Sequence, residues 1–304
     1  MMKNDKKYFS GIGFRFLIGT IVIFAVQSLA VFLMTKLGEN VPAIAENYTY
    51  TFLASMLSMY LIGYPITLKL LNKIPAQKIG EKKKMTIGQW FIALFICIAI
   101  LYFFNIIGQL ITSLIGLLKN GSVVNVLGTI TGSIHPLANL FIIVICAPFA
   151  EELLFRKFLI DRTIQYGELL CVIFSSFVFA LYHGNLNQFI YAFPLGLFFA
   201  FLYVKTRDIR YSITIHMAVN FLGSFVSQTL MDYSEKLLTI YSTFIVYAML
   251  AGIILFLLFH KRFALQKTTQ SGEKTPSFKT IVMNPGMGLY TLFWCVIMIV
   301  MLVV

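Results

Sequence analysis

Runs of twenty or so apolar residues recur along almost the whole chain, separated by short polar connections. A helix of ~20 apolar residues matches the ~30 Å hydrocarbon core of a bilayer. Inside lipid, only helices and closed barrels satisfy every backbone polar group, so these runs dictate helices. The first covers 11–37 behind Lys3, Lys6 and Lys7 and carries no small-residue cleavage pattern, so it reads as a retained span, not a signal peptide. Others cover 50–71, 90–118, 136–162, 169–183, 189–204, 211–230, 238–259 and 286–304. The expected fold is an all-α polytopic membrane protein, a bundle of about eight to nine transmembrane helices forming one domain over 1–304. Charged residues make up only 12%, against ~25% in soluble domains, which excludes a soluble domain on a single anchor. The stretch 119–135, rich in Gly, Ser, Thr and Asn, reads as a loop. The stretch 261–279, with Ser271, Gly272 and Pro276, reads as a flexible linker.

The net charge of +12 follows from loop bias. With the N-terminus in the cytoplasm and the spans alternating, 21 of the 24 Lys and Arg fall on the cytoplasmic side. Only Lys36, Lys119 and Lys236 are left outside, the imbalance that the positive-inside rule describes. The most basic connection holds Lys73, Lys78, Lys82, Lys83 and Lys84. No basic domain interleaved with aromatic residues is present, so the expected partners are the bilayer and a membrane-associated peptide or protein, not nucleic acid. Eighteen Lys to six Arg point to a bacterial source. Cys97, Cys146, Cys171 and Cys295 stand singly in apolar segments and read as small core hydrophobes.

Charge inside these spans is the informative exception, because it costs ~2.5 kcal/mol or more at membrane depth. Glu151, Glu152 and Arg156 interrupt a run that is otherwise apolar from 137 to 160. On a helix Glu152 and Arg156 are i and i+4 and share a face. Glu151 is rotated by about 100° and has no such partner. One carboxylate is thereby neutralised and one left available, although a helix end with interfacial charges would look similar. His183 ends the fifth span, and His216 and Asn220 share a face of the seventh. At a rise of ~1.5 Å per residue, Glu151, His183, His216 and Asn220 lie ~16, ~22, ~9 and ~15 Å from the basic ends of their spans. They fall in one layer, expected to open toward the cytoplasmic half. A lone buried histidine is more often a core residue than a catalyst, but independent core residues have no reason to agree in depth. A carboxylate, two imidazoles and an amide suit water-driven acyl hydrolysis, with donors left for a developing oxyanion. Membrane-depth charge gathered in one layer, without inverted repeats, argues against a transporter.

Glu151-Glu152-x-x-x-Arg156, Phe179-x-x-x-His183 and His216-x-x-x-Asn220 occur complete and in order. In this the chain resembles the CPBP intramembrane protease family, also called the Abi or type II CAAX endopeptidase-like family, over 139–222. The resemblance implies an intramembrane endopeptidase. Glu151 is then the base that activates water, with the help of His183. His216 and Asn220 form the oxyanion site, and Glu152 with Arg156 braces the helix. The family label of metalloprotease adds zinc or another divalent metal as a candidate cofactor, with His183, His216 and Glu151 as its donor set. Family members also include bacteriocin self-immunity proteins and non-catalytic membrane regulators. The complete motif set favours the protease.

Overall fold

The computed structural model describes residues 2–77, 80–266 and 275–303. Lys78 of the basic connection, and Ser271 and Gly272 of the expected linker, lie outside the described residues. Among the described residues every regular element is a helix. Apart from the short turns Pro42–Ala45 and His260–Arg262, they are in chain order α1 (Met2–Gly38), α2 (Tyr48–Leu71), α3 (Ile87–Leu118), α4 (Val126–Ser133), α5 (Pro136–Tyr166) and α6 (Glu168–Tyr182). There follow α7 (Leu186–Thr206), α8 (209–233), α9 (Glu235–Phe259), α10 (Phe278–Val282) and α11 (Pro285–Val303).

Seven of these helices are long and apolar enough to cross a membrane, fewer than the eight to nine expected. The two expected spans that fall short are α6, which stops just before His183, and α8, which carries His216 and Asn220. The α6 helix has only 15 residues, and α8 is diluted by His216, Asn220, Ser224, Ser227 and Gln228. Both pack within the bundle, where a neighbouring helix replaces lipid. The expected loop 119–135 also differs, because α4 forms inside it. Asn125 caps this helix by accepting from the Gly128 N–H at 3.1 Å, and such a cap replaces one of the donors that a helix start orphans.

Alternation gives the molecule two faces. One carries the lysine-rich connection 72–86, the turn at Arg207 and Asp208, and the segment after α9. The other carries 39–47, 119–135, the turn at His183 to Asn185, and Ser234. Contacts within each face agree with this. Gln77 N–H bonds the Asp161 carbonyl and Lys83 N–H the Thr206 carbonyl on the first face. Lys119 Nζ bonds the Leu302 carbonyl at 2.9 Å on the second.

Two apolar bodies flank the centre. In one, α1, α2, α5, α6 and α11 bury Phe9, Phe16, Phe155, Phe174 and Tyr290. In the other, α3, α7, α8 and α9 bury Ile96, Cys97, Phe199 and Ile215. Lipid supplies no hydrophobic drive between helices, so close backbone approach at small residues does this work. Gly252 of α9 rests on the Phe95 carbonyl of α3, and Gly286 of α11 on the Ser10 carbonyl of α1. Large apolar side chains such as Leu110, Leu118, Leu257 and Leu258 are exposed on the outer surface. A multi-pass membrane protein presents that belt to lipid.

Candidate active site

Proline organises the central helix. In α5 the segments Asn139–Cys146 and Glu152–Ile160 run in the wider π register, on either side of Ala147–Glu151. The Ala147 N–H reaches back to the Ile142 carbonyl, and the next residue, Pro148, has no N–H to give. In that register its bond would have gone to the Ile143 carbonyl. Asn220 of α8 takes the vacant donor role, with Nδ2 donating to Ile143 O at 2.9 Å. Side chains serve other π-register groups too. Ser175 Oγ donates to the Phe155 carbonyl at 2.8 Å, and Ser224 Oγ to Asn139 Oδ1 at 2.7 Å. A polar side chain is costly in lipid unless bonded, and these are bonded.

Behind the site lies a buried ion pair. Arg156 Nε stands 3.2 Å from Glu152 Oε2, and both side chains are 0% exposed. The angle falls short of a hydrogen bond, and the guanidinium nitrogens find no hydrogen-bond acceptor among the described residues. The cation lies instead over the Phe179 ring at 4.3 Å, with Phe199 at 5.7 Å. A desolvated cation over aromatic faces gains ~2 kcal/mol, which helps to offset its burial.

Glu152 also holds the first imidazole. Its other oxygen, Oε1, accepts from His216 Nδ1 at 3.1 Å. Since a carboxylate only accepts, Nδ1 carries the proton, and Nε2 is turned toward Glu151 Oε2, 3.8 Å away. Phe199 stacks on this ring at 4.7 Å. The second imidazole is fixed in the same manner, with His183 Nδ1 donating to the Phe179 carbonyl at 2.9 Å. That leaves Nε2 of His183 as an acceptor. The ring sits where α6 stops, because Gly184 follows with φ +60°, a left-handed conformation that ends helices and suits glycine. A Cβ there would meet Trp294 of α11.

Glu151, His183, His216 and Asn220 all line one cavity of about 420 Å³, a size typical of ligand pockets. Glu152 and Arg156 stand outside it and brace its wall. The four residues that the depth count puts in one layer line this cavity together. The cavity is lined on its outer reaches by Asn105, α4, Asn187 and Gln228, which belong to the face opposite the lysine-rich connection. Counting residues along single helices measures depth but says nothing about which end the neighbours seal. Sequence reasoning also misses Phe199, an aromatic in a uniformly apolar span, and the α4 lining, which falls in the expected loop 119–135. Phe179 was visible through its motif.

The donor set expected for a metal does not assemble into a cage. Among the described residues no three of His, Cys, Asp and Glu stand together as a metal site requires. Nδ1 of each imidazole is bonded to a protein acceptor, which leaves Nε2 of each as the ring nitrogen free for the cavity.

No curated protein and no solved structure matches the chain. Residues 133–222 match the family model described as type II CAAX prenyl endopeptidase Rce1-like. That segment runs from the end of α4 into α8 and holds all three motifs, so the part of the chain that builds the site is similar to the CAAX protease family which the motifs resemble.

Proposed function

We propose that this protein is an intramembrane endopeptidase that cleaves a membrane-associated peptide or protein by activated water, without a covalent enzyme intermediate. The observation that carries the reading is the convergence of Glu151, His183, His216 and Asn220 on one membrane-depth cavity, with Glu152 and Arg156 neutralised behind it.

Glu151 is the carboxylate with no ion pair to Lys or Arg, and its side chain is 17% exposed, toward the cavity. It takes the proton from water as the oxygen attacks the peptide carbonyl, and it later passes that proton to the leaving amine. His183 Nε2 accepts the water's second hydrogen and orients the oxygen. Electron density from the carbonyl then collects on its oxygen, which needs donors. His216 Nε2–H and the second N–H of Asn220 serve there, each worth about 3 kcal/mol in the transition state. For this His216 carries a proton on both nitrogens, with Nδ1–H held by Glu152. Catalytic contacts often tighten only with substrate bound, so the 3.8 Å separation of Glu151 and His216 suits a site that closes on its substrate.

The test compares peptides of membranes bearing the parent chain with those bearing Glu151→Gln or His183→Ala. Fragments present with the parent and absent with both variants are expected, at equal protein levels. Cleavage that persists in Glu151→Gln would overturn the assignment.

A further inference from the structure

We propose that the cavity receives its substrate from the extracytoplasmic face, so that the natural substrate is an exported or membrane-inserted peptide, cut within an uncharged stretch. The inference rests on the endopeptidase reading and adds sidedness and substrate class to it.

Two independent observations meet here. The first is charge. The face with the 72–86 connection collects nearly all the Lys and Arg, whereas the opposite face holds Lys36, Lys119 and Lys236 against Glu39, Glu46, Asp232 and Glu235. Basic connections stay in the cytoplasm because they resist translocation, so the sparsely charged face is the outer one. The second is the direction of the cavity. From Glu151 it runs between α3, α4 and α8 toward that outer face, past Asn105, Asn125, Gln188 and Gln228. On the lysine-rich side the route is closed. Leu159 and Ile160 of α5 are fully buried there among the ends of α6 and α7, Tyr203 Oη bonds Asp161 Oδ1, and Glu168 is tied to Lys205 and Arg207.

The walls define the occupant. Among the described residues lining the cavity there is no Lys, Arg or Asp, and Glu151 is the one carboxylate. A terminal carboxylate or a phosphate would find no Lys or Arg there to pair with. Side-chain amides offer donors and acceptors together, which is what the alternating C=O and N–H groups of an extended peptide require. Apolar residues such as Met56, Leu101 and Leu195 fill the rest. An uncharged peptide segment fits these walls.

The experiment is thiol labelling with a membrane-impermeant maleimide in spheroplasts of a bacterial host. Thr129→Cys sits on the exposed side of α4, and Lys82→Cys on the exposed basic connection. The parent chain, whose four cysteines are buried or half-buried, is the blank. Thr129→Cys is expected to label in intact spheroplasts and Lys82→Cys only after they are opened. The reverse order, or both labelling before opening, overturns the proposal. In a second arm, the ends of Glu151-dependent fragments are mapped onto their parent proteins. They are expected in outward-facing or membrane segments, and ends in cytoplasmic segments overturn the proposal. Loss of peptide cleavage by purified Glu151→Gln in detergent has no sidedness, so the endopeptidase reading stands or falls on that separately.

Discussion

Removing the Glu152 carboxylate is the sharpest perturbation of this site, because it separates stability from catalysis. In Glu152→Ala the Arg156 cation, 0% exposed, loses the carboxylate that stands 3.2 Å from it. Breaking a buried pair from one side costs about 3–5 kcal/mol, chiefly from the charge left behind. The Nδ1–H of His216 is orphaned as well, which adds about 1–3 kcal/mol before any relaxation. Taking the pair alone, and about 2 °C per kcal/mol for a chain of this size, the melting temperature falls by about 6–10 °C. Differential scanning fluorimetry in detergent reads this directly. The companion variant is Glu152→Leu with Arg156→Met, which removes both charges and fills their volume. Buried pairs replaced by apolar residues are often neutral or better, so this double variant is expected to melt near the parent. It is nevertheless expected to be inactive, because nothing then orients His216. An unchanged melting temperature in Glu152→Ala, or a double variant as unstable as the single one, would refute the reasoning. A double variant with parental activity would show that Glu152 positions nothing.

Three further outcomes are expected. Asn220→Ala should lower kcat by roughly 10²–10³ with little change in substrate affinity, and it should also lose about 1–3 kcal/mol by stranding the Ile143 carbonyl; adding Pro148→Ala restores a backbone donor and should return stability but not rate, as turnover and thermal melts on the two proteins would show. Gly252→Val pushes a side chain into the Phe95 carbonyl and should destabilise by about 1–3 kcal/mol, leaving cleavage per folded molecule unaltered in a detergent assay. Hydrogen bonds from Arg210 hold the Asp208 carboxyl below its ordinary range, so its stabilising contribution is present above the ordinary carboxylate pKa and is lost as pH falls through the lowered one; melting curves taken down an acid series should therefore flatten in slope for Asp208→Asn, and an identical slope would remove Asp208 from the account.

Much of this protein is settled by the sequence alone, because the strongest constraint on it is local. A run of apolar residues in a bilayer has no choice but to be helical, so each span could be placed without knowledge of the others. The pairing of Glu152 with Arg156 and the shared face of His216 and Asn220 depend only on helical spacing, and the three motifs pointed to one family through residues within 70 positions of each other. What tertiary structure decided is everything that depends on a neighbour. Asn220 serves the Ile143 carbonyl because Pro148, on another helix, has no N–H. Arg156 tolerates burial because Phe179 and Phe199 arrive from α6 and α7. The α4 helix forms from a Gly- and Thr-rich stretch whose weak intrinsic preference for a helix is overridden by an Asn125 cap and by packing at the mouth of the cavity. The direction in which the site opens is decided the same way. A single helix has two equivalent ends, and only the helices packed around it close one of them.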